Sequence, residues 1–175
     1  MEAIECLLTR RSVREYLDKE VKQEDIETIL KCASFAPSAM NNQSWHFSVI
    51  TNKDWLNKMS NVIAKFMGRD SYHVTYHAPV LIIVSDKVSD RLIYEHDGSC
   101  ALENIFLSAH ALGLGSVWIN QLGEPELYDN KEFLALLKEA GVPEGYRVVG
   151  SAAIGYSKNV PNAKERKGGN VTYLK

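Results

Sequence analysis

Five stretches of the chain carry apolar residues at the i, i+3, i+4 spacing of a helix that packs on one side. Glu24 and Asp25 favour the start of the second stretch, because acidic side chains suit the positive end of a helix, and Pro37 lies beyond its end. The fourth stretch is almost entirely apolar up to Gly113, a typical C-cap residue, which predicts a buried central helix. The predicted helices cover residues 4–8, 26–33, 53–67, 101–112 and 131–140.

Four other stretches have the pattern of strands. Residues 45–49 alternate, with Trp45, Phe47 and Val49 on one face, which is the period of a half-buried strand. Residues 80–84 (VLIIV) are continuously aliphatic and predict a strand buried on both faces. The remaining predicted strands are 116–119 and 147–154.

Helices and strands alternate along the chain, and no internal repeat or low-complexity linker divides it. These elements predict an α+β fold with one mixed central sheet flanked by helices on both faces, hence three layers. The tail 157–175 is basic and carries the Gly168-Gly169 pair, so it has too little apolar sequence to fold on itself. We expect this tail to wrap another surface.

Composition is typical of one globular domain. The 175 residues are 45% hydrophobic and 24% charged, which suits a chain that buries a core without disulfides or metal. Twenty Lys and Arg against 22 Asp and Glu leave a net charge of -2, which argues against a general nucleic-acid binder. Three widely spaced cysteines lack metal-site spacing. Without the pattern of a signal peptide or a membrane span, we expect a reduced, cytoplasmic protein with no membrane partner.

A basic cluster follows the first predicted helix. Arg10, Arg11, Ser12 and Arg14 bring three guanidinium groups and a hydroxyl close together in the sequence. In an extended segment, alternate side chains converge on one anion, and the guanidinium fork is suited to a phosphate. The alternative is a solvated run of charge.

The connection 37–44 (PSAMNNQS) joins the second predicted helix to the first predicted strand. It is rich in side chains that donate and accept hydrogen bonds. Such a loop either lines the polar edge of a ligand or forms a turn that satisfies its own backbone. Both interpretations are open at this point, and Trp45, which follows the loop, is predicted to lie in the core.

Two further motifs are weaker. The Gly-x-Gly at 113–115 follows a helix and enters a strand, the reverse of the order in a dinucleotide-binding fingerprint. His73 and His77 have the i, i+4 spacing of a two-histidine metal site but lack the Glu of His-Glu-x-x-His, and the interleaved Tyr72 and Tyr76 favour a solvated or interfacial aromatic stretch. Since the sequence has no nucleophile or metal signature, any chemistry is expected to be that of a cofactor.

Read together, these segments resemble the nitroreductase family of flavin mononucleotide (FMN) enzymes over nearly the whole chain. Each segment is weak alone, but their order and spacing are specific. The resemblance rests on RRSVREY (10–16), APSAMNNQSWHF (36–47), APVLIIV (78–84), DGSCALENIFLSAHALGLGSVWI (97–119) and AAIGY (152–156). It implies a dimeric nitroreductase-like fold, with residues 1–156 as one FMN-binding domain and 157–175 as an extension that wraps the dimer partner.

The resemblance also implies roles for individual residues. The Arg/Ser segment would bind the FMN phosphate and ribityl chain, the 37–41 loop would reach the partner's flavin, and the segment after the long helix would run along the isoalloxazine edge. Lys164 and Arg166 would form a second phosphate clamp. The chain departs from the family at Ser44, where proline is commoner. The implied cofactor-binding residues are Arg10, Arg11, Ser12, Arg14, Pro37, Ser38, Ala39, Asn41, Trp118, Ile119, Asn120, Gln121, Lys164 and Arg166.

The implied activity passes electrons from NAD(P)H through flavin N5 to a small acceptor such as a nitroaromatic or a quinone, in a homodimer with two FMN sites. No catalytic side chain and no metal are implied, because the ring carries the chemistry. One alternative is a module that binds, stores or senses FMN without turnover. Another keeps the cofactor for a special reaction such as dehalogenation or flavin fragmentation. Residues that select the acceptor are expected within 65–76 and 121–130.

Overall fold

A computed structural model of the protein describes residues 1–89, 93–169 and 171–174. All of the predicted helices and strands are present, and the central helix begins at Ile93 rather than at Ala101. The helices are α1 (Ala3–Thr9), α2 (Gln23–Ser34), α3 (Lys53–Phe66), α4 (Ile93–Ala111) and α5 (Lys131–Glu139). The strands are β1 (His46–Ile50), β2 (Val80–Lys87), β3 (Gly115–Ile119) and β4 (Tyr146–Gly155).

Side-chain caps define where two of the helices begin. The Asn52 side chain accepts the Trp55 N–H at 2.9 Å at the start of α3. Asn130 does the same for α5, accepting the N–H groups of Glu132 and Phe133 at 2.9 and 3.0 Å. Each cap satisfies backbone donors that the first helical turn leaves without a partner inside the helix.

The four strands form one sheet in the order β1-β2-β4-β3, and every pair of neighbours is antiparallel. The prediction of a mixed sheet is therefore wrong for these strands. Alternation of helices and strands favours parallel pairing, but β4 lies between β2 and β3 and runs against both. Parallel pairing in the described residues is confined to an isolated bridge between Ser12 and Ser116.

The sheet separates two apolar layers, which confirms the expectation of helices on both faces. One face packs against α3 and α5, and the other packs against α2 and α4. Strand β2 contributes Leu81 and Ile83 to the first layer and Val80, Ile82 and Val84 to the second, so it is buried on both faces as predicted.

The edge strand β1 follows the predicted alternation only in part, because Phe47 packs against the second layer as predicted whereas Val49 does not. Ser48 and Ile50 are buried, whereas Val49 is 38% exposed. Trp45 lies just before the strand and packs against the second layer while remaining partly exposed. An edge strand is half-covered, so its alternation alone does not show which face meets the core.

Some apolar surface is left uncovered by the chain itself. Helix α1 buries Cys6 but leaves Ile4, Leu7 and Leu8 exposed, and Phe35 at the end of α2 is 78% exposed. Exposed apolar patches of this kind mark interaction surfaces.

The C-terminal segment is also uncovered. Every described residue from Val160 onward is exposed and lies outside any helix or strand. Two residues of the predicted 157–175 extension, Asn170 and Lys175, lie outside the described residues. In the described part of the chain, no helix combines the length and hydropathy of a membrane span.

Candidate functional site

The basic segment is attached to the free edge of β3. The Val13 N–H donates to the Ser116 carbonyl at 2.9 Å, and Ser12 bridges Ser116 in parallel. Val13 is buried, and a Cβ added at Gly115 would lie 2.9 Å from Val13 side-chain atoms. Glycine at 115 therefore permits this close approach. The backbone of the basic segment is therefore held by the edge of the sheet.

Arg10 joins an aromatic cluster on α4. Its guanidinium lies 5.9 Å above the Phe106 ring, and its Nε is 3.9 Å from a Glu103 oxygen. Phe106 also contacts Trp118 of β3, with ring centroids 5.8 Å apart. Trp118 is 37% exposed, and a Cβ at Gly150 would lie only 2.8 Å from its ring. Arg10, Phe106 and Trp118 thus form one cluster of a cation, a buried phenyl ring and a partly exposed indole ring.

The other two arginines have different surroundings. Arg11 Nη1 donates to the carbonyls of Leu8 and Arg10 at 2.8 and 2.7 Å, which satisfies acceptors at the end of α1. Arg14 is exposed, and its guanidinium lies 5.7 Å from the centre of the Tyr76 ring. Arg10 and Arg14 therefore have the freer guanidinium groups, while Arg11 has a structural role.

The turn that presents Tyr76 is strained and is held by a histidine. Tyr76 and His77 have backbone φ values of 53° and 61°, which residues other than glycine adopt much less often. His73 Nδ1 accepts the His77 N–H at 3.3 Å, so Nε2 carries the proton and donates to Asn57 Oδ1 at 3.2 Å. Thr75 Oγ1 also bonds Nδ1, at 3.1 Å. Burial, aided by the charge of His77, lowers the pKa of His73 to about 4.

The predicted pair of histidines is arranged as a stack, with ring centroids 4.0 Å apart. Both nitrogens of His73 are engaged within the protein. Across residues 1–89, 93–169 and 171–174, no three His, Cys, Asp or Glu side chains group to hold a metal ion. The pair organises a turn.

The loop between α2 and β1 bonds to itself. Ser38 Oγ accepts the Gln43 N–H at 3.1 Å, and Gln43 Nε2 donates to Asn41 Oδ1 at 2.8 Å. Met40, Asn41 and Gln43 have φ values of 53°, 57° and 48°. Three left-handed residues in so short a loop are unusual, and such strain persists only where surrounding contacts hold it.

The contact that holds this loop was missed by reasoning from sequence. Both oxygens of Asp97, in the first half of α4, accept the Ala39 N–H, at 3.0 and 3.1 Å. Asp97 is only 7% exposed. An acidic residue at the polar start of a long apolar helix was the available signal, but the pattern indicates a helix start rather than a partner in a distant loop.

A second buried carboxylate lies beside Asp97. Asp86 Oδ1 accepts the Lys87 N–H at 2.7 Å, while its Oδ2 has no hydrogen-bond partner among the described residues. Burial raises the pKa of Asp86 above its ordinary value, the Asp97 charge adds to the rise, and a hydrogen bond from Ser44 opposes it. The two carboxylates therefore lie under the two ends of the same loop.

The predicted site residues fall into separate groups in one chain. The loop contacts helix α4 at Asp97. Arg10 and Trp118 contact the same helix at Phe106. At 1.5 Å and 100° per residue these positions are about 13 Å apart along the axis and on opposite sides of it. The structure thus does not bring the loop and the basic segment together within a single chain.

The remaining predicted site residues lie in different surroundings. Ile119 is buried in the core, and Asn120 Nδ2 donates to Glu124 at 3.3 Å. Gln121 begins a 3-10 turn, and Pro37 is exposed. Lys164 and Arg166 lie in the exposed C-terminal segment, away from any described helix or strand.

Known proteins share this architecture and sequence. The model of the nitroreductase family matches residues 7–156. A candidate NADH dehydrogenase/NAD(P)H nitroreductase of Archaeoglobus fulgidus is 36% identical over 90% of this chain and 87% of its own length. A Bacteroides fragilis nitroreductase solved with bound FMN superposes with a TM-score of 0.91 at 35% identity, covering 100% of both chains. An FMN-dependent nitroreductase of Clostridium difficile R20291 reaches a TM-score of 0.75 at 34% identity, covering 93% of this chain and 91% of its own.

Proposed function

The chain belongs to the nitroreductase family, and on that basis we propose that it is an FMN-dependent oxidoreductase that passes electrons from NAD(P)H to a nitroaromatic, quinone or similar small acceptor. The observation that carries the proposal is the cluster of Arg10, Phe106 and Trp118 beside the basic segment on β3. When bound, FMN supplies the hydride and electron-transfer chemistry.

The donors present suit a flavin phosphate. A phosphate monoester carries about -1.5 to -2 charges near pH 7, and guanidinium and hydroxyl groups bind it well. Arg10 has one ion pair at 3.9 Å, with exposed Glu103, which leaves guanidinium donors for an anion. Ser12 and Arg14 lie on the same segment, and Lys164 and Arg166 would complete the charge from the C-terminal segment.

The ring would be held by groups at the end of β3. Trp118 offers partly exposed aromatic surface, and the backbone of Ile119 follows it while the Ile119 side chain stays in the core. The amides of Asn120 and Gln121 come next and supply donors and acceptors for the polar edge of the ring. These residues orient the ring and shield it, and none of them has to transfer a proton.

We infer that the working unit is a homodimer. The loop 37–41 and Arg10 contact opposite sides of α4, so a second copy would supply the loop of each site. The exposed apolar face of α1 and exposed Phe35 are surfaces that such a partner would cover.

The test is the colour and redox response of the purified protein. We expect a bound flavin spectrum that NADH or NADPH bleaches within seconds under anaerobic conditions and that a quinone or nitroarene restores. A flavin that neither nucleotide reduces would support the module that binds FMN without turnover. A colourless protein that takes up no added FMN would contradict the proposal.

A further inference from the structure

The loop 38–44 has a strained backbone. Met40, Asn41 and Gln43 are left-handed, and Met and Gln rarely adopt this conformation, which Asn tolerates better. Internal bonds between Ser38, Gln43 and Asn41 connect the loop to itself, but they do not attach it to the rest of the molecule. An external contact has to set its place.

Asp97 supplies that contact. Its buried carboxylate receives a bifurcated hydrogen bond from the Ala39 N–H, and no other donor to it is found among the described residues. Burying a carboxylate is costly unless it is hydrogen-bonded. The cost is increased by Asp86, a second buried carboxylate whose charge interacts with that of Asp97. An apolar side chain at 97 would avoid this cost, so a hydrogen-bond acceptor at this position has a specific use.

We propose that Asp97 is a positioning residue of the cofactor site: through the Ala39 N–H it holds the Ser38–Asn41 loop in the shape that meets the flavin of a second copy. The inference rests on the proposed function for the identity of the ligand. The anchoring itself concerns only this chain and can be measured without FMN. Asp97 acts through the loop and touches no reacting atom.

The first experiment compares Asp97→Ala and Asp97→Asn in the flavin-free full chain by amide hydrogen exchange. Removing the acceptor leaves the Ala39 N–H unpaired, so Asp97→Ala should speed exchange across 40–44 at least about tenfold, because local opening becomes easier. Asn retains one acceptor oxygen and should stay close to wild type. Asp54→Ala, on the exposed first turn of α3, is the matched control and should leave these amides unchanged.

The second measurement is FMN affinity. We expect Asp97→Ala to weaken FMN binding about tenfold, equal to about 1.4 kcal/mol, while Asp97→Asn restores most of it. Ala39→Pro removes the same hydrogen bond from the loop side and suits the site, because Ser38 has φ -136° and ψ 151° and the position opens a 3-10 turn. If the bond positions the loop, Asp97→Ala with Ala39→Pro together should be no worse than either alone.

The outcomes distinguish the anchoring of the loop by Asp97 from the effect of that anchoring on FMN binding. Unchanged exchange in Asp97→Ala overturns the anchoring whatever the cofactor. Faster exchange with unaltered FMN affinity, or strictly additive losses in the double variant, overturns the link between loop position and flavin. A wild-type chain that binds no FMN sinks the proposed function, while the exchange data still decide the anchoring. Should Asp97→Ala fail to fold, Ala39→Pro decides both measurements alone, because it leaves α4 intact.

Discussion

We propose that two basic segments bind the same FMN phosphate, and the two segments differ in how the rest of the chain holds them. The backbone of Arg10–Arg14 is tied to β3 through Val13 and Ser116, and Arg10 lies against Phe106. Lys164 and Arg166 lie in an exposed segment with no helix or strand. One half of the proposed phosphate site is therefore held by contacts within the chain, whereas the other half lies in a segment without helix or strand.

The difference shows which parts of the site a single chain can order. An extended segment that pairs with a sheet edge gains hydrogen bonds and buries Val13, which offsets its loss of conformational freedom. The described residues from Val160 onward have no such surface within the chain, and in our proposal a second copy supplies it. Variants on each side of this comparison should therefore fail in different ways.

The largest expected effect comes from removing the unstructured half. Truncation after Asn159 keeps the bonds of Lys158 and Asn159 to Glu15 but removes both distal cations. We expect a folded chain that has lost FMN affinity by about a hundredfold or more, since two charge-assisted contacts of about 1.5–3 kcal/mol disappear, and that elutes as a monomer. Light scattering and flavin absorbance measure both.

The full-length Lys164→Ala, Arg166→Ala variant is the control for the truncation, because it removes charge and keeps the length. It should remain dimeric with weaker FMN binding. If the truncated chain retains flavin like wild type, the two basic segments do not share a ligand.

The next effect distinguishes arginines within the ordered half. Arg10→Ala should weaken FMN binding about 10- to 100-fold, from the loss of one charge-assisted contact, with little change in melting temperature because its pair with Glu103 is exposed. Arg11→Ala should instead lower stability by about 1 kcal/mol, from its two lost bonds to carbonyls. Calorimetry and flavin titration on the same samples test this contrast, and the reverse order would refute it.

A smaller effect tests the turn beside Arg14. Because the pKa of His73 is lowered to about 4 in the folded protein, the unfolded chain takes up this proton first as pH falls. The stability that depends on neutral His73 is complete above the ordinary pKa of His, about 6.5, and is lost as pH falls from there towards 4, with a slope of at most about 1.4 kcal/mol per pH unit.

His73→Gln should remove this part of the pH dependence. His110, whose pKa burial and the charges of Arg10 and Arg11 also lower, titrates in both proteins, so the difference between their unfolding curves isolates His73. Parallel curves from pH 4 to 7 would show that the turn does not depend on the neutral ring.

The smallest effect concerns the carboxylate beside Arg10. Glu103→Gln removes an anion near the expected phosphate, so FMN should bind about two- to threefold more tightly at low salt, as an exposed pair is worth at most about 1 kcal/mol. The gain should shrink at 0.5 M salt, because exposed charges are then screened. A loss of affinity would mean that Glu103 positions Arg10 for the ligand.

Local periodicity was sufficient for most of the fold. The apolar stripe of α3 and the aliphatic run of β2 were recognised because each pattern depends on its own element alone. Strand direction and the exposure of Val49 in β1 were not, since both depend on which distant segment covers a face of the sheet. The start of α4 at Ile93 was missed because its first turns are polar.

The site was predictable to a lesser degree. Arg10 and Arg11 are neighbours in one motif, and sequence could not separate them, because the distinction lies in the carbonyls that Arg11 meets at the end of α1. Asp97 opens one of the segments that carry the resemblance, but its role was not predicted, because its partner is the backbone N–H of Ala39 far away in the chain. Every residue except proline has a backbone N–H, so the sequence does not show which of them a distant carboxylate will bind.

The pairing of Val13 with Ser116 also has a consequence for biosynthesis. The ribosome makes the basic segment near the start of the chain, but the edge that orders it arrives roughly one hundred residues later. At a synthesis rate of about 5–20 residues per second, the nascent chain carries this segment unpaired for about 5–20 seconds. The segment proposed to bind the FMN phosphate is therefore synthesised well before the strand that orders it.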